Sequence, residues 1–272
     1  MSSRALLGTL VLLSFGCSLA PAQSTLADRI RSVKNGTVRL SYGVKEGICG
    51  DGATFIRDRT RGEDNYMTFN DNGNTHNYYG KGWRDRLCEP GPARVAFIKD
   101  DGSVTKMRLY VGGEWDKPDA ETVDLGMVAA PAAARALLDV AAQERRAENA
   151  VIGAIIADSA VVWPELLAIA KNDDLYKSIR RNAVFWLSQV AGDEATKGLT
   201  ELAESQGQDR EVRDQAVFAL SQLPHDQGVP ILIRLAKTNQ DPQVRRKALF
   251  WLGQSDDPRV IKLFEEILTE KH

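Results

Sequence analysis

The chain has 272 residues, of which 43% are hydrophobic and 26% are charged. These proportions are typical of a soluble globular protein and exclude a wholly disordered one, and the length allows one large domain or two modest ones. The formal charge of −2 excludes a global basic field that would draw the protein onto DNA or RNA.

The first 22 residues are predicted to be a signal peptide. Residues 5–15 form an apolar run that is too short to span a bilayer comfortably, and Ala20 and Ala22 give the A-x-A pattern of a cleavage site. The mature chain is therefore expected to begin at Gln23, to be periplasmic or secreted, and to have no stable membrane span.

Cleavage there would remove Cys17 and leave Cys49 and Cys88 in the mature chain. Exported proteins fold in an oxidising compartment, so we predict a disulfide between these two residues. Closing so long a loop would stabilise the fold by about 4 kcal/mol in the chain-entropy model. Two free thiols are one alternative, and a lipoprotein anchored through Cys17 is another.

Residues 35–115 are predicted to form a small antiparallel β domain. Apolar and polar residues alternate over 38–42, which is the period of a half-buried strand, and residues 53–57 form a second short candidate. The clearest signal lies in residues 93–111, where two β-rich runs flank the Asp-Gly turn of residues 100–103. Asp and Gly tolerate the positive φ angles of a hairpin turn.

Residues 70–79, between these strands, form a polar segment rich in turn-forming residues. A plain turn is the favoured interpretation, and a site built from Asp71, His76 and Tyr78 is the alternative. The chain lacks the G-x-S-x-G, H-E-x-x-H and phosphate-loop motifs. We therefore predict no catalytic, cofactor-binding or metal-binding residues and no enzymatic activity. An enzyme or accessory enzyme subunit with a site near His76 remains the alternative.

Residues 116–148 are predicted to be a connector followed by a linking helix. Pro118 and acidic residues mark the connector, and the helix over 127–148 is expected to be broken near Pro131.

Residues 149–272 contain an internal repeat with a period of about 33 residues. Similar segments begin at Ile179, Val212 and Val244. A second set alternates with them and begins at Leu166, Leu199, Leu232 and, more weakly, Leu263. Two amphipathic helices per unit indicate a helical solenoid, in which neighbouring units must stack to bury their apolar faces. The whole chain is thus predicted to be α+β.

The repeated segments resemble the HEAT repeat family, especially the short bacterial repeats also seen in phycobilin lyase subunits. The resemblance is carried by Asp241-Pro242-x-Val244-Arg245, which opens a first helix, and by Asp256-Asp257-Pro258-Arg259, which opens a second helix. It implies an α solenoid with the first helices on the convex face and the second helices on the concave face, where many HEAT proteins bind partners. It implies no ligand or cofactor.

Residues that recur in phase with the repeat are assigned to the core: Phe185, Phe218 and Phe250 with Leu187, Leu220 and Leu252. Arg180, Arg213 and Arg245 also recur, and the resemblance implies that they pair with Asp209 or Asp241 and so set the repeat register. A row of arginines that binds an anionic ligand is the alternative.

The predicted function is that of an exported, non-enzymatic scaffold or protein-binding module. Partner contacts are expected at exposed positions of the second helices: Lys171, Glu201, Glu204, Arg234 and Lys237. Their mixed charges favour a protein partner over a nucleic acid, whose binding needs several phosphates neutralised together.

Overall fold

The computed structural model describes residues 24–53, 55–59, 66–69, 75–76, 88–147, 149–190 and 192–269. Its fold is α+β, with strands in the N-terminal half and stacked helices in the C-terminal half. The strands are β1 (Gly36–Tyr42), β2 (Ile48–Gly50), β3 (Phe55–Asp58), β4 (Tyr66–Phe69), β5 (Thr75–His76), β6 (Ala93–Asp100), β7 (Ser103–Val111) and β8 (Thr122–Met127). The helices are α1 (Leu26–Ser32), α2 (Ala130–Gln143), α3 (Ala150–Ile156), α4 (Trp163–Lys171), α5 (Lys177–Gln189), α6 (Asp193–Glu204), α7 (Arg210–Ser221), α8 (His225–Thr238), α9 (Pro242–Leu252) and α10 (Pro258–Thr269).

The main sheet has the strand order β7-β6-β1-β8. β6 pairs antiparallel with both β1 and β7, and Ala93 lies opposite Val111 at the base of the β6–β7 hairpin. Asp101 and Gly102 form the turn with φ angles of 45° and 81°, which confirms the predicted Asp-Gly hairpin.

The predicted connector contains a strand that was not predicted from the sequence. β8 pairs in parallel with β1 and makes the sheet mixed at this edge. Most of its residues are exposed, and it contains Asp124 and Gly126. Apolar residues alternate with polar ones over β8, but Pro118 and the neighbouring acidic residues favoured the interpretation as a connector.

The second sheet is antiparallel, with the order β2-β3-β4-β5. Cys49 of β2 forms the predicted disulfide with Cys88, and the sulfur atoms are 2.01 Å apart. Gly50 follows Cys49 at the junction with the main sheet. A Cβ atom on Gly50 would lie 2.5 Å from the carbonyl oxygen of Val111, so only glycine allows the two sheets to approach this closely.

One face of the main sheet packs against helices. Val38, Leu40 and Tyr42 are completely buried, in the same apolar core as α2 and α3. Every residue of α3 is buried. The predicted break of the linking helix at Pro131 is wrong, because Pro131 lies in the first turn of α2, where a missing N–H group costs no helical hydrogen bond.

The remaining helices form two layers of a solenoid. We call α5, α7 and α9 the first-helix layer and α4, α6, α8 and α10 the second-helix layer; successive helices α4/α5, α6/α7 and α8/α9 pack as pairs. Leu187, Leu220 and Leu252 are completely buried, as predicted. None of the helices among the described residues is long and apolar enough to cross a membrane.

The core assignment of the repeated phenylalanines is wrong. Phe185 and Phe218 are only half-buried, and Phe250 is 56% exposed. Each phenylalanine precedes a buried leucine by two positions, and residues two apart on a helix point about 200° apart around its axis. Recurrence within the repeat therefore shows that residues occupy equivalent positions. It does not show whether the phenylalanine or the leucine faces the core.

Candidate protein-interaction site

Arg180 in α5 is buried, with 1% of its side chain exposed. Its guanidinium lies 2.6 Å from the carboxylate of Asp173 and 2.7 Å from that of Asp209, and it donates to the carbonyl oxygen of Ala170. Asp209 is the N-cap residue of α7, so this contact joins one first helix to the start of the next. The Lys177 ammonium, 3.2 Å away, and the Arg180 guanidinium lower the pKa of the Asp209 carboxyl.

Arg213 repeats the arrangement one unit further along the chain. Its guanidinium lies 2.9 Å from the carboxylate of Asp241, which caps α9 by accepting a hydrogen bond from the N–H of Gln243. The two contacts confirm the predicted pairing of repeated arginines with helix-capping aspartates. Arg245 differs, because its guanidinium donates to the main-chain carbonyl of Asn239. Arg180 and Arg213 thus join successive first helices, whereas Arg245 holds the turn before its own helix.

The five predicted partner-binding residues lie together on the second-helix layer and are exposed. Lys171 of α4 pairs with Glu201 of α6 at 2.9 Å, and Arg234 of α8 pairs with Glu204 of α6 at 2.5 Å. The Lys171 ammonium lowers the pKa of the Glu201 carboxyl, because the ion pair favours the charged form. The predicted residues therefore form ion pairs between neighbouring repeats.

Lys237 of α8 forms a third pair of this kind, at 2.5 Å from Glu266 of α10. Glu266 was not among the residues predicted from the sequence. A signal for it was present, because 29 residues separate Lys237 from Glu266 and 30 residues separate the partners in each of the other two pairs. A search for opposite charges one repeat apart would have found this residue.

A groove runs between α6 and α8 beside these ion pairs, with a cavity volume of about 500 Å³. Its described lining residues are Asp193, Thr196, Lys197, Thr200, Glu201, Glu204, Gln227, Ile231 and Arg234. The walls carry hydroxyl, amide and charged groups of both signs, and Ile231 adds an apolar contact. Such a lining can hydrogen-bond a polypeptide and accept an apolar side chain.

A second cavity, of about 480 Å³, lies on the solvent-facing side of the main sheet. Arg39 and Arg94 line it, and each guanidinium carbon lies 5.1 Å from the ring centroid of Trp115. Arg39 pairs with Asp124 at 2.8 Å, while Arg94 donates to three main-chain carbonyls, two of them in the segment after β7. The two arginines thus hold the Trp115 segment against the sheet. Neither arginine was predicted from the sequence to have this role, although both lie on the outward-facing side of a strand.

The alternative site near His76 lies largely outside the described residues and stays a prediction. His76 belongs to β5 of the second sheet, whereas Asp71 and Tyr78 lie outside the described residues. Within the described part of the chain, no group of three or more His, Cys, Asp or Glu side chains is placed to hold a metal ion.

The geometry defines the C-terminal half as a helical-repeat solenoid, the class of protein in which paired helices stack by a regular period. Residues 196–272 match the family model of HEAT repeats, and this range includes most of α6 and all of α7 to α10. This match confirms the resemblance inferred from the sequence motifs for the C-terminal part of the chain. No similar sequence is found among the curated proteins.

Proposed function

We propose that this protein is an exported, non-enzymatic scaffold that binds a protein partner through its HEAT repeats. HEAT solenoids are protein-interaction modules, because their stacked units present an extended surface of exposed helix positions. The observation that carries the proposal is the second-helix layer, where Lys171, Glu201, Glu204, Arg234 and Lys237 line one continuous exposed surface.

The ion pairs on this layer can be exchanged for contacts with a partner. Side chains in the pairs are between 38% and 50% exposed, and exposed ion pairs contribute only about 0–1 kcal/mol to stability. A partner that offers charges of both signs could therefore replace them at little cost. The adjacent groove would then accept an apolar side chain beside Ile231.

A binding role, rather than catalysis, is supported by how the repeated polar residues are used. Arg180 and Arg213 are engaged in contacts between successive repeats. An active site needs its residues once, whereas contacts that define a repeat must recur in every unit. No catalytic motif is present in the sequence to supply a competing role.

Export is supported by the N-terminal apolar run and its A-x-A pattern. The disulfide between Cys49 and Cys88 is consistent with the same proposal, because disulfides persist in oxidising compartments and are rare in the cytosol.

The experiment compares two charge-reversed variants as bait for partner capture. Arg234→Glu/Lys237→Glu changes the second-helix layer, and Arg29→Glu/Arg135→Glu makes the same change in net charge on exposed positions of α1 and α2, outside both layers of the solenoid. A partner captured by the wild-type protein is identified and titrated against both variants. We expect the first variant to bind it about tenfold or more weakly, as expected when charge complementarity is lost at an interface.

Circular dichroism and thermal unfolding establish that both variants are folded. The proposal fails if folded Arg234→Glu/Lys237→Glu binds the partner as tightly as the wild type, or if both variants lose binding equally.

A further inference from the structure

The two layers of the solenoid carry charges of opposite sign. Helices α5, α7 and α9 contain eight Lys or Arg and two Asp or Glu, a net charge of +6. Helices α4, α6, α8 and α10 contain six basic and eight acidic residues, a net charge of −2. The capping aspartates neutralise Arg180 and Arg213. A positive excess remains on the first-helix layer even after these two arginines are left out of the count.

The same layer presents an aromatic stripe. Phe185, Phe218 and Phe250 contribute one ring per repeat, and none of them is fully buried. The ring of Trp251 lies 4.9 Å from that of Phe218 and 5.0 Å from that of Phe250, which makes the surface continuous across the last two repeats. At the other end of the stripe, the ring centroids of Phe185 and Trp186 are 5.1 Å apart.

Cationic side chains lie beside the rings. Arg181 and Arg246 each precede a stripe phenylalanine by four positions, which places them on the same side of the helix. Both are exposed, and neither forms an ion pair with another described residue. The equivalent position in α7 is Asp214, which lies 3.9 Å from Arg210 and 4.0 Å from Lys247. Positive charge without an ion-pair partner among the described residues therefore flanks the stripe in α5 and α9, whereas Asp214 and its two cationic partners occupy this position in α7.

The repeat of the stripe matches a polyproline II helix. Because α5 packs on α7 and α7 packs on α9, and packed helices lie about 8–10 Å apart, the stripe is expected to place one ring about every 8–10 Å. A polyproline II segment rises about 3.1 Å per residue with three residues per turn, so every third side chain lies on one face at intervals of about 9 Å. A β-strand does not match the spacing of the rings, because every second side chain of a strand, and not every third, lies on one face.

We infer that the first-helix layer binds an acidic polypeptide segment in the polyproline II conformation, with an apolar side chain at every third position. The apolar side chains would pack on Phe185, Phe218 and Phe250, and the acidic side chains between them would pair with Arg181 and Arg246. An acidic segment is the expected partner because its charge is complementary to that of the basic first-helix layer. This surface is separate from the second-helix layer, so the inference holds whether or not that layer binds a partner.

The test measures fluorescence anisotropy of short labelled peptides with the purified protein. The probe is a repeated Glu-Pro-Leu peptide of about nine residues, enough to cross the three first helices. The comparison peptides are Glu-Pro-Ser, which lacks the apolar side chain, and Lys-Pro-Leu, which reverses the charge. We expect the Glu-Pro-Leu peptide to bind about tenfold more tightly than either comparison peptide.

Variants locate the binding surface. Arg181→Glu/Arg246→Glu is expected to weaken binding of the Glu-Pro-Leu peptide about tenfold, and Arg234→Glu/Lys237→Glu, with the same charge change on the other layer, by less than about twofold. Phe250→Ser removes the most exposed ring of the stripe and should also weaken binding. Circular dichroism confirms folding of each variant.

Three results would overturn the inference. They are no binding of the Glu-Pro-Leu peptide, equal binding of the Glu-Pro-Ser peptide, and equal loss of binding in the two charge-reversed variants. The last result would mean that only net charge matters. Failure here leaves the partner titration on the second-helix layer unaffected, because that experiment uses a different surface.

Discussion

At the scale of single residues, the buried guanidinium groups carry the strongest constraints on the fold. A charge removed from water destabilises the protein unless it is paired and hydrogen-bonded. Arg180 meets this requirement with two carboxylates and a main-chain carbonyl. Because Asp209 belongs to the next repeat, the electrostatic requirement of one unit can be met only when its neighbour is stacked in the correct register. The arginines therefore stabilise the order of the repeats as well as the repeats themselves.

The pair formed by Arg213 and Asp241 allows this role to be measured. Arg213→Ala is expected to lower the free energy of unfolding by about 1–3 kcal/mol, because the aspartate loses a charged hydrogen-bond partner in a half-buried environment. Chemical denaturation of Arg213→Ala, Asp241→Ala and the double variant completes a double-mutant cycle, in which we expect a coupling of at least about 0.5 kcal/mol.

The cycle is needed because Asp241 also caps α9, so its removal alone weakens two interactions. Arg246→Ala is the matched control. It removes an exposed arginine of α9, the helix that Asp241 caps, and should change the free energy of unfolding by less than about 0.5 kcal/mol. Strictly additive effects of Arg213→Ala and Asp241→Ala would show that the contact does not stabilise the repeat stack.

At the scale of elements, the junction between the main sheet and the helices depends on the contact of β1 with α3. The hydroxyl of Tyr42 in β1 donates to the carbonyl oxygen of Gly153 in α3 at 2.8 Å. Burial of the ring raises the pKa of the Tyr42 phenol, so the hydroxyl stays protonated and remains a donor throughout the physiological pH range. A Cβ atom on Gly153 would lie 2.8 Å from this hydroxyl and 3.0 Å from a methyl group of Leu137.

This contact predicts an unusual response to a helix-favouring substitution. Alanine in place of glycine normally stabilises a helix by up to about 1 kcal/mol. We expect Gly153→Ala to lower the free energy of unfolding by about 1–3 kcal/mol instead, because the new methyl group overlaps Tyr42 in a closely packed core. Chemical denaturation measures both the size and the sign of the effect.

The Tyr42→Phe background is the control for this explanation. Tyr42→Phe alone should destabilise the protein by about 1 kcal/mol through the loss of the hydrogen bond. In that background Gly153→Ala should be less harmful than in the wild type, because the overlapping oxygen is gone. A stabilising Gly153→Ala, or an equal penalty in both backgrounds, would show that the close contact does not limit this position.

At the scale of the whole molecule, the β-rich half and the solenoid share one core. Buried residues of β1, β6 and β7 belong to the same apolar cluster as residues of α2, α3 and the repeats. α3 falls within the range predicted for the repeats, yet it packs against α2 and β7. The sheet and its helices thus cover one end of the repeat stack, where an exposed repeat would otherwise present its apolar side to water.

The proposed export concerns the whole chain and is tested on native material. We expect N-terminal sequencing of the exported protein to begin at Gln23, because signal peptidase cleaves after the A-x-A pattern. Peptide mapping without reduction should recover Cys49 and Cys88 as one linked species. A retained Met1 would rule out cleavage, and a lipid on Cys17 would replace a released protein with an anchored one.

The sequence was informative wherever structure depends on local pattern. The repeat period, the paired helices, the Asp101–Gly102 hairpin and the burial of Leu187 in the repeats all follow from the spacing of apolar and turn-forming residues, and the structure confirms them. The disulfide was predictable for a different reason, because only two cysteines remain after the proposed cleavage. The predicted partner-binding residues were also placed correctly on one exposed layer.

Only the tertiary structure decided the features that depend on contacts between distant residues. The short alternating segment of β8 forms a strand because it pairs in parallel with β1, a contact between segments about 85 residues apart. Phe250 is exposed because its helix turns Leu252 towards the core, a choice that periodic recurrence alone cannot make. Arg180 found its partner 29 residues away in the next repeat. Sequence pattern determines which side of an element is apolar, whereas the packing of elements determines what that side meets, because burial and ion pairing depend on the position of atoms far apart along the chain.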